Sequence, residues 1–249
     1  MTQTPLISII TITFNAAETL PLTMKSLAEQ TYRDFEHVVV DGASSDDTIL
    51  IARRMGTPGI RIISEPDRGL YDAMNKGLKM ARGRYVLFLN SGDRFHDSGS
   101  LAAYADAIET RNPDIIYGDT DIVDIDGKRI GPRHLSAPEM LTFDSFKRGM
   151  LICHQAFMIR KDLAPKYDTD YRFSADYDWT IRGIKASRAG SRVNLHRVTI
   201  DYLSDGLTDR NKKASLLERF RIMAAHYGTV QAVASHLSFI PRALKRGKL

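Results

Sequence analysis

Tyr85-Val86-Leu87-Phe88-Leu89 is a run of five apolar residues leading straight into a polar turn, Asn90-Ser91-Gly92-Asp93. A run this short, with β-branched and aromatic members, reads as a strand buried on both faces, as in a parallel sheet. In open α/β sheets the ligand sits outside the carboxyl ends of the strands. Asp93 therefore stands where a ligand or metal ion would be met, or else caps the turn and the helix that follows. A hard divalent cation carrying a diphosphate needs one or two carboxylates of this kind, with water and phosphate oxygens completing its shell.

The surrounding chain repeats the theme. Residues 6–13, 35–41 and 60–64 are strands by their β-branched content. Between them, residues 17–30 form an amphipathic helix with Leu20, Met24, Leu27 and Ala28 inward, residues 48–55 a short helix, and residues 70–81 a third. Strand and helix alternate through short loops, which predicts an α/β fold with a mainly parallel sheet and right-handed crossovers. Further on, the pattern predicts helices over 98–110 and 176–187, and strands over 115–119, 151–160 and 193–203. A polar loop covers 204–213 and mainly helical structure follows. Asp41, Asp67, Asp93 and Asp119 all fall at strand ends or in the loops after them. Asp119, Asp121, Asp124 and Asp126 superficially match a calcium loop, but the fixed Gly and terminal Glu are missing, so a hairpin turning at Asp126-Gly127 is the better reading.

At 249 residues the chain is one domain, or one domain with a C-terminal extension. No apolar run approaches the roughly 20 residues of a spanning helix, and residues 1–5 lack the basic and apolar regions of a signal peptide. A single cysteine, Cys153, excludes an internal disulfide and a Cys-rich zinc site. The expected compartment is the cytoplasm. The net charge of +5 is uneven: from residue 180 onward there are 14 Lys and Arg against 4 Asp and Glu. An anionic partner for the tail follows, and without a nucleic-acid-reading motif a membrane surface suits it better than nucleic acid. The first strand-to-helix turn has neither G-x-G-x-x-G nor G-x-x-x-x-G-K-[ST], which argues against a dinucleotide fold and a P-loop NTPase.

Four ordered motifs then carry a resemblance. Ser8-Ile9-Ile10-Thr11-Ile12-Thr13-Phe14-Asn15 is followed by Val39-Val40-Asp41-Gly42-Ala43-Ser44-Ser45-Asp46-Asp47-Thr48. Next come Glu65-Pro66-Asp67-Arg68-Gly69-Leu70-Tyr71-Asp72-Ala73-Met74-Asn75-Lys76-Gly77 and Ala81-Arg82-Gly83-Arg84-Tyr85. Together they resemble family 2 glycosyltransferases of the GT-A fold, in a subgroup that builds bacterial surface polysaccharides. The likeness is strong over residues 6–95, weaker to about 208, and not evident in the basic tail.

The resemblance implies a nucleotide-binding half over about 1–95, an acceptor half over about 96–210 and a helical basic extension over 211–249. It implies that Asp41 accepts from the imide of a uracil, with the region from Thr13 to Asn15 lining the nucleoside and Ser91 on the donor side. Asp67 would lie near base or ribose, or cap the helix behind it, and Lys76 would touch the pyrophosphate or lie in solvent. Asp93 matches the last acid of the family's D-x-D signature, the Mn²⁺ or Mg²⁺ ligand, although Asn90-Ser91-Gly92-Asp93 has one carboxylate where the usual motif has two or three. Ser174-Ala175-Asp176-Tyr177-Asp178-Trp179-Thr180-Ile181-Arg182 is similar to E-D-x-D-[LW]-x-x-R, which maps the general base to Asp176 and puts Ala175 in place of the preceding acid. Asp178 would orient Arg182 or the acceptor, Trp179 stacks on a sugar or packs in the core, and His154 lies near acceptor or diphosphate. The loop 202–208, hinged at Gly206, would close over the donor phosphates. The expected reaction is an inverting, metal-dependent transfer from a UDP-linked sugar to a glycan or lipid-linked oligosaccharide. The basic tail would rest on the inner face of an anionic membrane. A non-catalytic binding partner and a sugar-1-phosphate nucleotidyltransferase are the alternatives.

Overall fold

The computed structural model describes residues 4–204 and 211–244. The first half alternates strictly: β1 (Ile7–Thr13), α1 (Leu20–Ala28), β2 (Phe35–Asp41), α2 (Thr48–Met55), β3 (Arg61–Ser64), α3 (Leu70–Met80) and β4 (Tyr85–Phe88). The second half is looser, with β5 (Arg94–Phe95), α4 (Ser100–Arg111), β6 (Ile115–Val123), β7 (Arg129–Pro132), β8 (Phe157–Arg160), α5 (Ala175–Ala186) and β9 (Arg192–Leu203). Two helices, α6 (Lys212–Tyr227) and α7 (Thr229–Leu244), follow.

Among the described residues the strands form one sheet in the order β3-β2-β1-β4-β8-β6-β9-β5, with β7 beside β6. The β1–β2, β2–β3, β1–β4 and β6–β9 pairs are parallel. Strand β8 lies antiparallel between β4 and β6, so β6 and β9 point the same way as the first four strands. Strand ends therefore gather along one edge of the sheet, where the ligand of such a fold is met.

Alternation of side chains along each strand explains the two-sided core. Ile7 and Ile9 of β1 and Tyr85 and Leu87 of β4 pack with Leu101, Tyr104 and Ile108 of α4 on one face. Ile10, Ile12, Val86 and Phe88 point to the other face and meet Met74 of α3, Trp179 and Ile181 of α5, and Ile222 and Met223 of α6. Every residue from Tyr85 to Leu89 is wholly buried, as a strand covered on both sides requires.

Two expectations are corrected here, and a third holds. The run 151–160 is not one strand: β8 starts at Phe157, and His154–Ala156 is a single 3-10 turn. Apolar neighbours hid the turn, which exists because Gln155 reaches across to Asp93 instead of pointing along a ladder. Asp119 does not end a strand, since β6 continues to Val123; its carboxylate accepts from the Ala137 amide (2.9 Å). The turn at Asp126-Gly127 does join a hairpin, β6 to β7, with Gly127 at φ +84°. No group of three or more metal-binding side chains exists among the described residues, and no described helix is long and apolar enough to cross a membrane.

Candidate active site

Two loops open the site. Asp41 closes β2 and is fully buried. It accepts from Thr13 Oγ1 (2.9 Å), the Ser44 amide (2.9 Å) and Ser64 Oγ (2.7 Å), and also from Ser44 Oγ. Burial raises the Asp41 pKa, but these bonds outweigh it and hold the carboxyl below its ordinary value. Thr13 is thereby turned inward onto Asp41. Asn15 takes the left-handed conformation (φ +47°), which asparagine tolerates. Its Oδ1 accepts from the Ser45 amide (2.9 Å), locking the β1 loop to the β2 loop.

Gly42 is small for a reason: a Cβ there would lie 2.6 Å from Asp67 Oδ2 and 3.3 Å from the Phe14 ring. Asp67 and Phe14 thus close over the end of β2. Asp67 Oδ1 also accepts from the Gly69 amide ahead of α3 (2.8 Å). The Phe14 ring is 67% exposed although it adjoins these polar loops, which leaves a flat apolar face in the expected nucleoside region.

Lys76 is placed differently from its expected diphosphate contact. Its ammonium donates to the Pro66 carbonyl (2.8 Å) and pairs with Glu65 (3.0 Å), so its charge is already met at the loop after β3.

The β4 turn forms the centre. Ser91 Oγ bonds Thr19 Oγ1 (2.9 Å), and Gly92 at φ +96° allows the chain to reverse under Leu203. Asp93 is 4% exposed. It accepts from the Leu203 amide (3.0 Å) at Oδ1 and from Gln155 Nε2 (2.7 Å) at Oδ2. Burial dominates and pushes the Asp93 carboxyl up to about 7. A carboxylate has about four acceptor sites, so each Asp93 oxygen keeps one beyond those bonds. Asn90 Oδ1, in the same turn, is buried with no partner. These oxygens fit a cation that draws most of its shell from a diphosphate and water. They do not make a protein-only cage.

Opposite stands Asp176 in the first turn of α5. Tyr71 Oη donates to its Oδ1 (3.2 Å), and His154 Nδ1 faces its Oδ2 (3.4 Å). The other ring nitrogen of His154 meets Asn90 Nδ2 (3.3 Å), so this imidazole bridges the Asp176 carboxylate and the β4 turn. Burial raises Asp176, yet His154, the Arg219 charge and the Tyr177 amide outweigh it and keep the carboxyl ionised below its ordinary range. Tyr71 is driven well above the usual phenol value by burial and then by the Asp176 charge, so it stays a donor. Its ring stacks on Tyr167 (5.6 Å), which stacks in turn on Trp179 (5.0 Å). Asn75 brackets Tyr167 through both its backbone groups (2.8 and 2.9 Å), fixing that ladder to α3.

Of the alternatives stated for Trp179 and Asp178, the structure shows core packing for the first and the contact with Arg182 for the second. Trp179 is fully buried, and its indole N–H bonds the Pro165 carbonyl (2.6 Å); packed between Tyr167, Phe88 and Phe157, it has no face left for a sugar. Asp178 points away from Asp176 and accepts from Arg182 Nε (2.6 Å) and His226 Nε2 (2.7 Å). The His226 bond ties α5 to α6, while Arg182 ties α5 to the Lys166 carbonyl. Residues 205–208 of the expected closing loop, Gly206 included, lie outside the described residues. Sequence reasoning gave no role to Tyr71 and Asn75, and it reached Phe14 and Gln155 only as members of the 13–15 region and of the pair with His154. Tyr71 and Asn75 lie inside a matched motif, but nothing in spacing alone distinguishes a residue that holds a site carboxylate from one that fills a core.

The family model described as Glycosyl transferase family 2 matches residues 8–167. A PGL/p-HBAD biosynthesis glycosyltransferase of Mycobacterium bovis (strain BCG / Pasteur 1173P2) is 39% identical over 218 residues, 83% of this chain and 82% of that protein. Among solved structures, S. aureus TarS 1-349 in complex with UDP-GlcNAc aligns with a TM-score of 0.69 at 18% identity, covering 96% of this chain and 72% of that one. The mannosyltransferase PcManGT from Pyrobaculum calidifontis, in complex with GDP-Man and Mn²⁺, aligns at 0.63 and 17%, covering 96% and 76%. The structural likenesses establish a shared fold, of the GT-A type, and the family model establishes descent: this chain belongs to glycosyl transferase family 2.

Proposed function

We propose that this chain transfers a sugar, with inversion, from a UDP-linked donor to a hydroxyl of a glycan or lipid-linked oligosaccharide in surface polysaccharide or glycolipid synthesis. One observation carries the reading: Asp176, a half-buried carboxylate held at both oxygens by Tyr71 and His154, faces the β4 turn across a single imidazole. The named activity of the mycobacterial relative and the UDP-GlcNAc bound by the TarS structure support the substrate class.

In this mechanism Asp176 takes the proton of the acceptor hydroxyl as its oxygen attacks the anomeric carbon, and the bond to the nucleoside diphosphate breaks on the opposite side. The depressed pKa keeps Asp176 ionised and ready to accept. Tyr71 and His154 fix its orientation, and holding base and acceptor in a reactive geometry lowers the barrier without a covalent intermediate. Phe14 offers its exposed face to the base. Asp67 lies against the nucleoside, and the Thr13–Asp41 and Asn15–Ser45 bonds keep these loops in register. Asp93 and Asn90 Oδ1 would hold Mn²⁺ or Mg²⁺, whose chemistry when bound is neutralisation of the leaving diphosphate. The nucleotide half is residues 1–95 and the acceptor half 96–210.

A membrane-borne acceptor finds support in α7. Val230, Val233 and Leu237 recur along one face and are 86%, 43% and 60% exposed, and the sequence beyond carries Arg242, Lys245, Arg246 and Lys248. An apolar stripe joined to basic residues suits the interface of an anionic bilayer. Calorimetric titration with UDP, GDP and their nucleosides, with and without Mn²⁺, tests the donor reading. Binding of UDP strengthened by Mn²⁺ is expected, whereas binding of GDP alone would overturn the choice of base.

A further inference from the structure

The donor would bring two phosphates towards the Asp93 and Asp176 carboxylates, so cations must face the leaving group. Lys76 is engaged by Glu65 and the Pro66 carbonyl. The basic group that the fold brings to Asp176 from elsewhere lies in α6, beyond the residues matched by the family model.

Helix α6 docks on the start of α5 at three points. Ser215 bonds Ser174 side chain to side chain (2.9 Å). The Glu218 carboxylate accepts from the Arg172 and Phe173 amides (2.8 Å each). His226 bonds Asp178 (2.7 Å). Contacts thus run from Ser174 with Ser215 to Asp178 with His226, so α6 packs along the first turn of α5, the turn that carries Asp176. Arg219 is one turn beyond Ser215 on the same buried stripe as Ile222 and Met223. Its Nε is buried and has no partner. A guanidinium held there keeps an unmatched donor in a site whose expected substrate is an anion. Consistently, its charge acts on both Asp176 and Tyr177.

We propose that Arg219 binds the diphosphate of the nucleotide-sugar donor, stabilising the charge that develops as the nucleoside diphosphate leaves. This assignment rests on the proposed transferase reading and adds a cation supplied by the C-terminal helices. Arginine suits the task because its fork of donors meets two phosphate oxygens at once and stays charged at any working pH.

The test compares UDP with uridine in the full chain, using wild type, Arg219→Met and Arg219→Lys, with melting temperatures recorded for each. Arg219→Met should weaken UDP binding about tenfold or more while uridine binding stays within about twofold, and Arg219→Lys should recover part of the loss. Equal weakening of UDP and uridine would show a merely structural role, and unchanged UDP affinity would remove Arg219 from the diphosphate; either overturns the proposal. If wild type binds GDP and not UDP, the choice of base fails, and Arg219 is judged on GDP against guanosine by the same criteria. Binding of neither nucleotide would overturn both readings.

Discussion

Asp178→Asn separates docking from chemistry. Asp178 is 6% exposed and accepts two bonds from opposite sides, from Arg182 and from His226. Lys185 Nζ lies 3.0 Å from His226 Nδ1, so Nδ1 accepts and Nε2 carries the proton donated to Asp178. An asparagine keeps the shape but offers one carbonyl oxygen to two donors, leaving its own NH₂ against the other. A hydrogen bond to a charged group contributes about 1.5–3 kcal/mol. Arg182 is a third exposed and also bonds the Lys166 carbonyl (2.8 Å), so its share is discounted for solvent. A net loss of about 2 kcal/mol remains, which for a chain of this size is a fall of roughly 4–8 °C in Tm. Burial raises the Asp178 pKa, but the bonds from His226 and Arg182 outweigh it, so the folded value is depressed. Its stabilisation is therefore complete above the ordinary aspartate range near 4 and is lost as pH falls through the folded value. Differential scanning calorimetry at pH 7 and pH 3.5 should show the wild-type advantage at the first and its shrinkage at the second. Transfer by folded Asp178→Asn should stay within about threefold of wild type. Unchanged Tm with abolished transfer would refute the docking role and return Asp178 to the acceptor site.

Other consequences are as direct. Asp93 has a raised folded value near 7, so its contribution favours the fold below about pH 4 and is lost as pH rises to 7. In chelator and without nucleotide, the Tm of wild type relative to Asp93→Asn should fall between pH 5 and pH 8, and a flat difference would contradict the burial argument. Trp179→Phe removes the bond to Pro165 and part of the stack on Tyr167; it should lower Tm by several degrees with donor and acceptor KM unchanged, and a changed acceptor KM would put the indole back at the sugar. Val230→Glu with Leu237→Glu should abolish flotation with vesicles containing phosphatidylglycerol while leaving Tm intact, and retained flotation would detach the α7 stripe from the membrane.

Legibility followed locality. The first half of the fold was readable because each strand is a short β-branched run and each helix shows its own apolar face: α2 and β2 fall on the residues the pattern marks. The second half depends on long-range partners. Strand β8 is short because Gln155 leaves the ladder for Asp93, and β6 overruns Asp119 because its backbone goes on pairing with β9 and β7 as far as Val123. In the site, spacing placed Asp176 at a helix start and Asp93 in the β4 turn. It allowed for Trp179 in the core but did not reveal the three-ring ladder that the indole ends, or that Lys76 is held by Glu65. Nor does it foretell that α6 returns to the start of α5, since Ser174 and Ser215 meet only after the whole second half has folded.

The central claim is that Asp176 is the base of a nucleotide-sugar transfer. Its most direct test is transfer of labelled sugar from UDP-linked donors to a panel of glycan and glycolipid acceptors by wild type and Asp176→Asn, with UDP affinity measured on the same preparations. The account predicts a loss of at least about a hundredfold in kcat, the lower end of what a general base contributes, with UDP affinity unchanged within about twofold. Turnover by Asp176→Asn equal to wild type would contradict it.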